Sequence, residues 1–264
     1  MSLGGKVVLV TGGSSGIGRA AVFAFARAGA SVVLAGRRQS LGEEVASLVR
    51  AEGHQAHFVT ADVSRPIDAE RLVTETVATY GRLDAAFNNA ATEDGAFALT
   101  ADFSEEQFDA AIAANLKSVW LCMKFEIAQL LTQDPPGGAI VNTSSVNGLG
   151  GAPGGALYSA AKAGVLALTK SAAQEYATRS IRVNALVAGA FRTPMLERVF
   201  DIAGGGTAAG RAAAEAQYAA LNPLGRIGTP DEAAAAAVWL CSDAASYVTG
   251  HSMIVDGGMT ASAR

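Results

Sequence analysis

The sequence predicts an α/β fold, a single doubly wound parallel sheet of about seven strands with helices on both faces. Two observations carry this prediction. Short β-branched runs recur along the whole chain and are continuously apolar, as strands covered on both sides must be. Between them lie longer stretches whose apolar residues repeat at helical spacing, so strand and helix alternate as in βαβ units. In order, "KVVLV" near Val7 opens the sheet and runs through a glycine-rich turn into the helical "RAAVFAFARAGA". "SVVLA" near Val32 and "AHFVT" near Phe58 supply the next two strands. "LDAAF" near Leu83, "AIVN" near Ile140, "IRVNALV" near Val183 and "MIV" near Ile254 supply the others. Ser104 with Gln107, and Thr229 with Glu232, have capping-box spacing, and Pro230 falls at a first helical position. No linker or shift in composition divides residues 1–264, so one domain without internal repeats is expected. The low-complexity run 203–220 reads either as a flexible lid or as an Ala-rich helix after a Gly-rich turn, within a substrate lid expected around 190–222.

Composition narrows the function classes. The 264 residues are 50% hydrophobic and 17% charged, and 20 Lys and Arg against 24 Asp and Glu give a net charge of -4. Such a balance offers no general footprint for nucleic acid, and no nucleic-acid partner is expected. Cys122 and Cys241 stand in apolar contexts and are too few for a disulfide framework or a zinc site. They read as buried small hydrophobes in a reducing compartment. The start "MSLGGKVVLVTGG" has no charged segment leading into a sustained apolar one, and the uncharged span 135–161 is broken by Gly, Ser and Pro. A cytoplasmic protein without a membrane span is the expectation. His54, His57 and His251 are scattered without ligand spacing, so no metal is inferred.

The turn after the first strand is "TGGSSGIG", with Gly12, Gly16 and Gly18 around Ser14, Ser15 and Ile17. Glycines let a backbone turn tightly and approach a ligand, while the following helix directs unpaired N–H groups forward. Phosphate is the expected occupant. The spacing differs from the common dinucleotide fingerprint G-x-G-x-x-G, and on its own this could be an ordinary strand-to-helix turn.

Further along come "ADV" with Asp62, "NNAA" at 88–91, "ANLKS" with Asn115, "IVNTSS" ending at Ser145, and "YSAAK" with Tyr158 and Lys162. With the loop residues Thr11, Gly12, Gly16, Ile17 and Gly18, this ordered set resembles the short-chain dehydrogenase/reductase family over nearly the whole chain. The resemblance implies a Rossmann fold binding NAD(P)(H). It implies Asp62 and Val63 at the adenine, Asn89 and Ala90 along the cofactor, and residues 181–189 with Gly189, together with Thr193, at the nicotinamide end. The chain departs from the family pattern at Ala91, where glycine is usual, and at Ala188, where proline is typical.

The choice of dinucleotide turns on "LAGRR" at the second strand's end. Gly36 stands where an acid would bind the ribose hydroxyls of NAD, and Arg37 and Arg38 follow with planar donor forks suited to a 2'-phosphate. NADP(H) is favoured; an arginine stacked on adenine would serve NAD(H) equally, and two solvated loop arginines are the plain alternative.

Positions four apart share a helix face, so Tyr158 and Lys162 project into the same space. Carbonyl reduction needs a proton donor at oxygen, and alcohol oxidation needs a base. A phenol near pKa 10 is too weak a base at neutral pH, and a nearby ammonium is expected to lower that value. The resemblance implies Tyr158 as the general acid/base, Lys162 on the nicotinamide ribose, Ser145 rather than Ser144 on the substrate oxygen, and Asn115 holding a water in a proton relay. Singly, Ser145 could cap a turn, Asn115 satisfy a buried carbonyl and Tyr158 fill the core. The substrate is a secondary alcohol or ketone, with sugar, hydroxysteroid, cyclic diol and 3-oxoacyl thioester all open. Its pocket is expected among residues 92–94, 151–155 and 195–218. The other function class is a dinucleotide-binding regulator or scaffold that has lost turnover. Finally, "SMIVD" reads as an uncovered edge strand. The resemblance implies a homotetramer, with residues from Ser252 onward buried across one two-fold axis and the helices of Asn115 and Tyr158 packed across another.

Overall fold

The computed structural model describes residues 2–261. Its elements follow the expected alternation: β1 (Val7–Thr11), α1 (Gly16–Arg27), β2 (Ser31–Gly36), α2 (Gln39–Ala51), β3 (Ala56–Thr60), α3 (Pro66–Tyr80) and β4 (Ala85–Asn88) make the first half. The second half comprises α4 (Glu105–Ile112), α5 (Ser118–Thr132), β5 (Gly138–Ser145), α6 (Asn147–Gly150), α7 (Ala156–Tyr176), β6 (Ile181–Ala188), α8 (Pro194–Ala203), α9 (Ala208–Ala220), α10 (Pro230–Cys241) and β7 (Ser252–Val255). All seven strands pair in parallel in the order β3-β2-β1-β4-β5-β6-β7. The chain winds outward from β1 to β3, then returns to place β4 on the other side of β1. The order reverses between β1 and β4, where an open parallel sheet leaves a crevice beyond the carboxyl ends of its strands.

Burial on both faces explains the continuous apolar runs. Val8 and Val10 point into a core shared with Val22 and Phe25 of α1, Val45 and Val49 of α2, and Ala234 and Val238 of α10. Leu9 between them points into the opposite core, with Leu72 of α3, Val119 and Ile127 of α5, and Val165 of α7. Fully burying a side chain such as Phe25, which is 0% exposed, contributes roughly 1.5–3 kcal/mol. The local signals also hold. Both halves of the Ser104/Gln107 capping box form, Thr229 N–H donates to the Glu232 carboxylate at 2.8 Å, and Pro230 starts α10. Ala188, where proline is typical of the family, stays in the ladder opposite Ser145 and Val255.

Two regions are more particular than the sequence suggested. Between α4 and α5 the helix loosens into a π turn, Ala113–Lys117, with Asn115 buried in it; such turns recur at functional sites. Residues 203–220 form a glycine turn followed by the Ala-rich α9. Phe200, Ala214 and Ile227, with Leu196 and Tyr218, form a small apolar cluster of their own between α8 and α9. Cys122 and Cys241 are buried and free. Among the described residues, no helix is long and apolar enough to cross a membrane.

Candidate active site

The ends of β1, β4, β5 and β6 converge at the carboxyl edge of the sheet. Thr11, last in β1, accepts at Oγ1 the backbone N–H groups of Asn89 at 3.0 Å and Ala90 at 3.1 Å, tying the glycine loop to the end of β4. Gly12 has φ 69°, and a Cβ there would lie 2.9 Å from the Cα of Ala90; one on Gly18 would lie 2.2 Å from the carbonyl oxygen of Gly12. Only glycine permits this approach of backbone to backbone. Ser15 stands at the N-cap of α1 without a side-chain cap bond, and the first turn holds no acid. The first N–H groups of α1 are thus open to an anion, and the loop fits a dinucleotide pyrophosphate. Ile17 packs against the core behind it.

Around this loop the other expected cofactor residues take distinct places. The guanidinium of Arg38 donates to Ser15 Oγ at 2.9 Å and Ser14 Oγ at 3.4 Å. Arg37 is equally exposed and makes no side-chain hydrogen bond among the described residues. Asp62 accepts Ser64 N–H at 3.1 Å and Ser64 Oγ–H at 2.7 Å on Oδ1, leaving Oδ2 available, and Val63 packs on the sheet beside it. Thr193 caps α8 by accepting Leu196 N–H at 3.3 Å, and its side chain lies against Gly16. Gly189 joins the end of β6 to β7. Its N–H donates to the Val255 carbonyl at 3.0 Å, and its Cα faces Asp256 closely.

Ser145, Tyr158 and Lys162 come together where β5 ends against α7. Ser144 Oγ donates to the Lys162 carbonyl at 2.8 Å and is buried, so it is committed to packing. Ser145 is half-buried, and its Oγ accepts Asn147 N–H at 3.2 Å while acting on the phenol of Tyr158. Lys162 is 1% exposed, and its Nζ lies 5.7 Å from the Tyr158 ring centroid. The expected lowering of the phenol pKa by this lysine is not what the arrangement gives. Burial pushes the phenol up to about 12, with Ser145 working downward and the charge of Glu93 upward. Burial likewise pushes the ammonium down to about 8. Burial is the largest influence on both groups: Nζ donates to the Thr143 carbonyl at 3.0 Å and lies over the Tyr158 ring.

Asn115 is placed to hold a loop. Its Oδ1 accepts Thr92 N–H at 3.0 Å and its Nδ2 donates to the Asp94 carbonyl at 3.4 Å, pinning residues 92–94 near Tyr158. Its side-chain amide therefore meets backbone groups of a loop that is only partly buried. The sequence reading named Glu93 and the stretch containing Arg198 as pocket candidates without pairing them. In the fold they form a two-pronged ion pair, at 2.5 and 2.7 Å. A second network went unread: Glu126 on α5 accepts Asn88 Nδ2–H at 2.9 Å, and Asn88 Nδ2 also donates to Asn142 Oδ1 at 3.1 Å. Its signal was a lone carboxylate inside the apolar "VWLCMKFEIAQLL". A surface cleft of about 590 Å³ lies on the outer side of α1 between Arg19, Phe23, Glu52 and Pro230, and touches the glycine loop at Gly16.

Comparison with known proteins bears on the family and the fold. A family model described as enoyl-(acyl carrier protein) reductase matches residues 12–260. A 2,5-dichloro-2,5-cyclohexadiene-1,4-diol dehydrogenase of Sphingobium indicum is 43% identical over 259 residues, 98% of either chain. An A-factor type gamma-butyrolactone 1'-reductase of Streptomyces virginiae is 43% identical over 258 residues, covering 97% of this chain and 95% of that one. The crystal structure of levodione reductase superposes with a TM-score of 0.92 at 35% identity, over 98% of this chain and 99% of the other. The chain belongs to the short-chain dehydrogenase/reductase family, oxidoreductases that act on alcohols and ketones with NAD(P)(H).

Proposed function

We propose that this protein interconverts a ring-bearing secondary alcohol and its ketone with NADP(H), Tyr158 serving as the general acid/base. The observation that carries the reading is the meeting of Tyr158, Ser145 and the buried Lys162 at the sheet edge that also holds the glycine loop. Gly12, Ser14, Ser15, Gly16, Ile17 and Gly18 would hold the pyrophosphate. Asp62 and Val63 would hold the adenine, Asn89 and Ala90 the span between, and Gly189 and Thr193 the nicotinamide end. When bound, the nicotinamide donates or accepts the hydride. Lys162 has three donors and one acceptor, the Thr143 carbonyl, so two N–H groups remain for the ribose hydroxyls. Ser145 hydrogen-bonds the substrate oxygen, and Tyr158 gives that oxygen its proton in reduction or removes it in oxidation. Asn115 fixes the 92–94 loop beside this centre and is the expected site of a relay water.

Preference for NADP(H) is supported by the guanidinium of Arg38 folded onto Ser14 and Ser15, by the free fork of Arg37, and by the missing acid at Gly36. NAD(H) is the alternative. The ring-bearing substrate is supported by the names of the relatives, a cyclohexadiene diol dehydrogenase and a butyrolactone reductase. A homotetramer is supported by the edge strand β7, whose Ile254 is 46% exposed, and by Trp120 on α5, 44% exposed. The last three residues of the segment expected to be buried there lie outside the described residues. Two free, buried cysteines suit the cytoplasm. The deciding experiment follows reduced-nicotinamide absorbance with a panel of cyclic ketones, acyclic ketones and 3-oxoacyl thioesters, with each cofactor. Fastest turnover of cyclic ketones with NADPH is expected; turnover restricted to acyl thioesters would overturn the substrate assignment.

A further inference from the structure

The helix pair α8–α9 is attached to the rest of the molecule in an unusual way. Internally it is tied by ion pairs of Arg211 with Glu197 and Asp201, and it has its own apolar cluster around Phe200. Arg192, just before α8, adds pairs to Glu197 and Glu215. Outward connection is sparse. Among the described residues, Arg198 to Glu93 is the only side-chain hydrogen bond or ion pair from 194–220 to any residue outside 190–228. The far end of this pair is firmly seated: Asn115 grips the loop at Thr92 and Asp94, and the Gly95 carbonyl accepts Tyr158 N–H at 3.1 Å.

We propose that the Arg198–Glu93 pair is a latch that closes α8–α9 over the substrate pocket, and that opening it bares a carboxylate beside Tyr158, coupling closure to the acid/base. This rests on the oxidoreductase reading of that tyrosine. The charged groups around the phenol are Lys162 from its own helix, Glu93 and Asp94 from the loop after β4, and Arg198 from α8. Asp94 is exposed and accepts the Thr92 hydroxyl at 2.6 Å, which leaves Glu93 as the acidic neighbour acting on the phenol. Arg198 holds the Glu93 carboxyl below its ordinary range, chiefly through their hydrogen bonds, and the negative charge on Glu93 raises the proton affinity of Tyr158. With α8 closed, a cation sits on that charge; with α8 open, the phenol faces it alone. Side-chain exposures of 52% for Arg198 and 32% for Glu93 make the latch weak, as a gate that opens every turnover must be.

The test uses the full-length protein and the variants Arg198→Met, Glu93→Gln and the charge-reversed double Glu93→Arg/Arg198→Glu. Amide hydrogen exchange, read without substrate, reports the latch independently of activity. Arg198→Met is expected to speed exchange across residues 194–220 about five-fold, the factor an exposed two-pronged pair contributes, and the double variant to restore protection. With a ketone that the wild type reduces, Arg198→Met is expected to raise KM by a similar factor and shift the alkaline limb of the pH profile upward. Glu93→Gln should raise KM without that upward shift, because it removes the charge along with the latch. Unchanged exchange in Arg198→Met, or a double variant as open as the single, would overturn the latch; matching pH profiles in Arg198→Met and Glu93→Gln would overturn the coupling. If no alcohol or ketone is turned over, the functional reading fails while the exchange result still decides the latch.

Discussion

Replacing Glu126 by glutamine removes a carboxyl that the fold buries completely, at 0% exposure, between α5 and the sheet. Burial raises its pKa from an ordinary 4.5 to about 8, with only the hydrogen bond from Asn88 acting the other way. The local inventory agrees with a neutral acid. Glu126 Oε1 and Asn88 Oδ1 are both buried without partners, so the cluster has surplus acceptors and a proton on the carboxyl supplies a donor. Below pH 4.5 the group is protonated in folded and unfolded chains alike and contributes no pH dependence. Between about 4.5 and 8 the unfolded chain ionises while the native one keeps its proton, so unfolding free energy falls as pH rises. Above about 8 both states are ionised and the loss is complete. At roughly 1.4 kcal/mol per pH unit the full loss is about 5 kcal/mol, an upper bound because buried charges recruit water and relax.

Urea unfolding of wild type and Glu126→Gln, at pH 5 to 9 and fixed protein concentration, measures this directly. Fixed concentration matters because an oligomer's apparent stability follows mass action. The two proteins should be near parity at pH 5, since glutamine keeps the oxygen that accepts from Asn88. The variant should then gain on the wild type at up to about 1.4 kcal/mol per pH unit until the difference levels near pH 8 to 9. A difference that stays constant across the range would refute the reasoning, because it would mean that Glu126 titrates alike in both states.

Three other outcomes follow from the site. Tyr158→Phe should lower kcat by about 10²-fold or more with dinucleotide affinity kept, and ultraviolet titration of the cofactor-free pair should show no phenolate lost by the substitution below about pH 10, as its raised pKa requires. Arg38→Ala should weaken NADP(H) about ten-fold and NAD(H) little, as removal of a charge-assisted bond does; isothermal titration of both cofactors checks it, beside Arg37→Ala, and equal losses for the two cofactors would assign the arginines to adenine or to structure. Light scattering at micromolar protein should return four protomers, with truncation after Asp256 giving smaller species.

What was legible in the sequence is what neighbouring residues determine. Continuous apolar runs are visible without knowing what covers them, because a strand such as Val7–Thr11 buries alternate side chains in two different cores. The capping boxes span three residues, and Tyr158 and Lys162 share a face by spacing alone. What stayed hidden joins residues that meet only after the sheet assembles: Glu93 with Arg198, 105 positions apart, and Glu126 with Asn88, 38 positions apart. The same limit applies to the proton affinities of Tyr158 and Lys162. Spacing establishes that an ammonium and a phenol are neighbours, but their proton affinities depend on whether water reaches them and on which acceptor the ammonium finds. Thr143, nineteen positions before Lys162, provides that acceptor while Nζ stays over the Tyr158 ring. Burial then moves the two pKa values apart, to about 12 and about 8. A phenol raised this far keeps its proton at neutral pH but is a weaker acid than a free one, so both proton donation to a ketone oxygen and action as a base require added positive charge that offsets its desolvation.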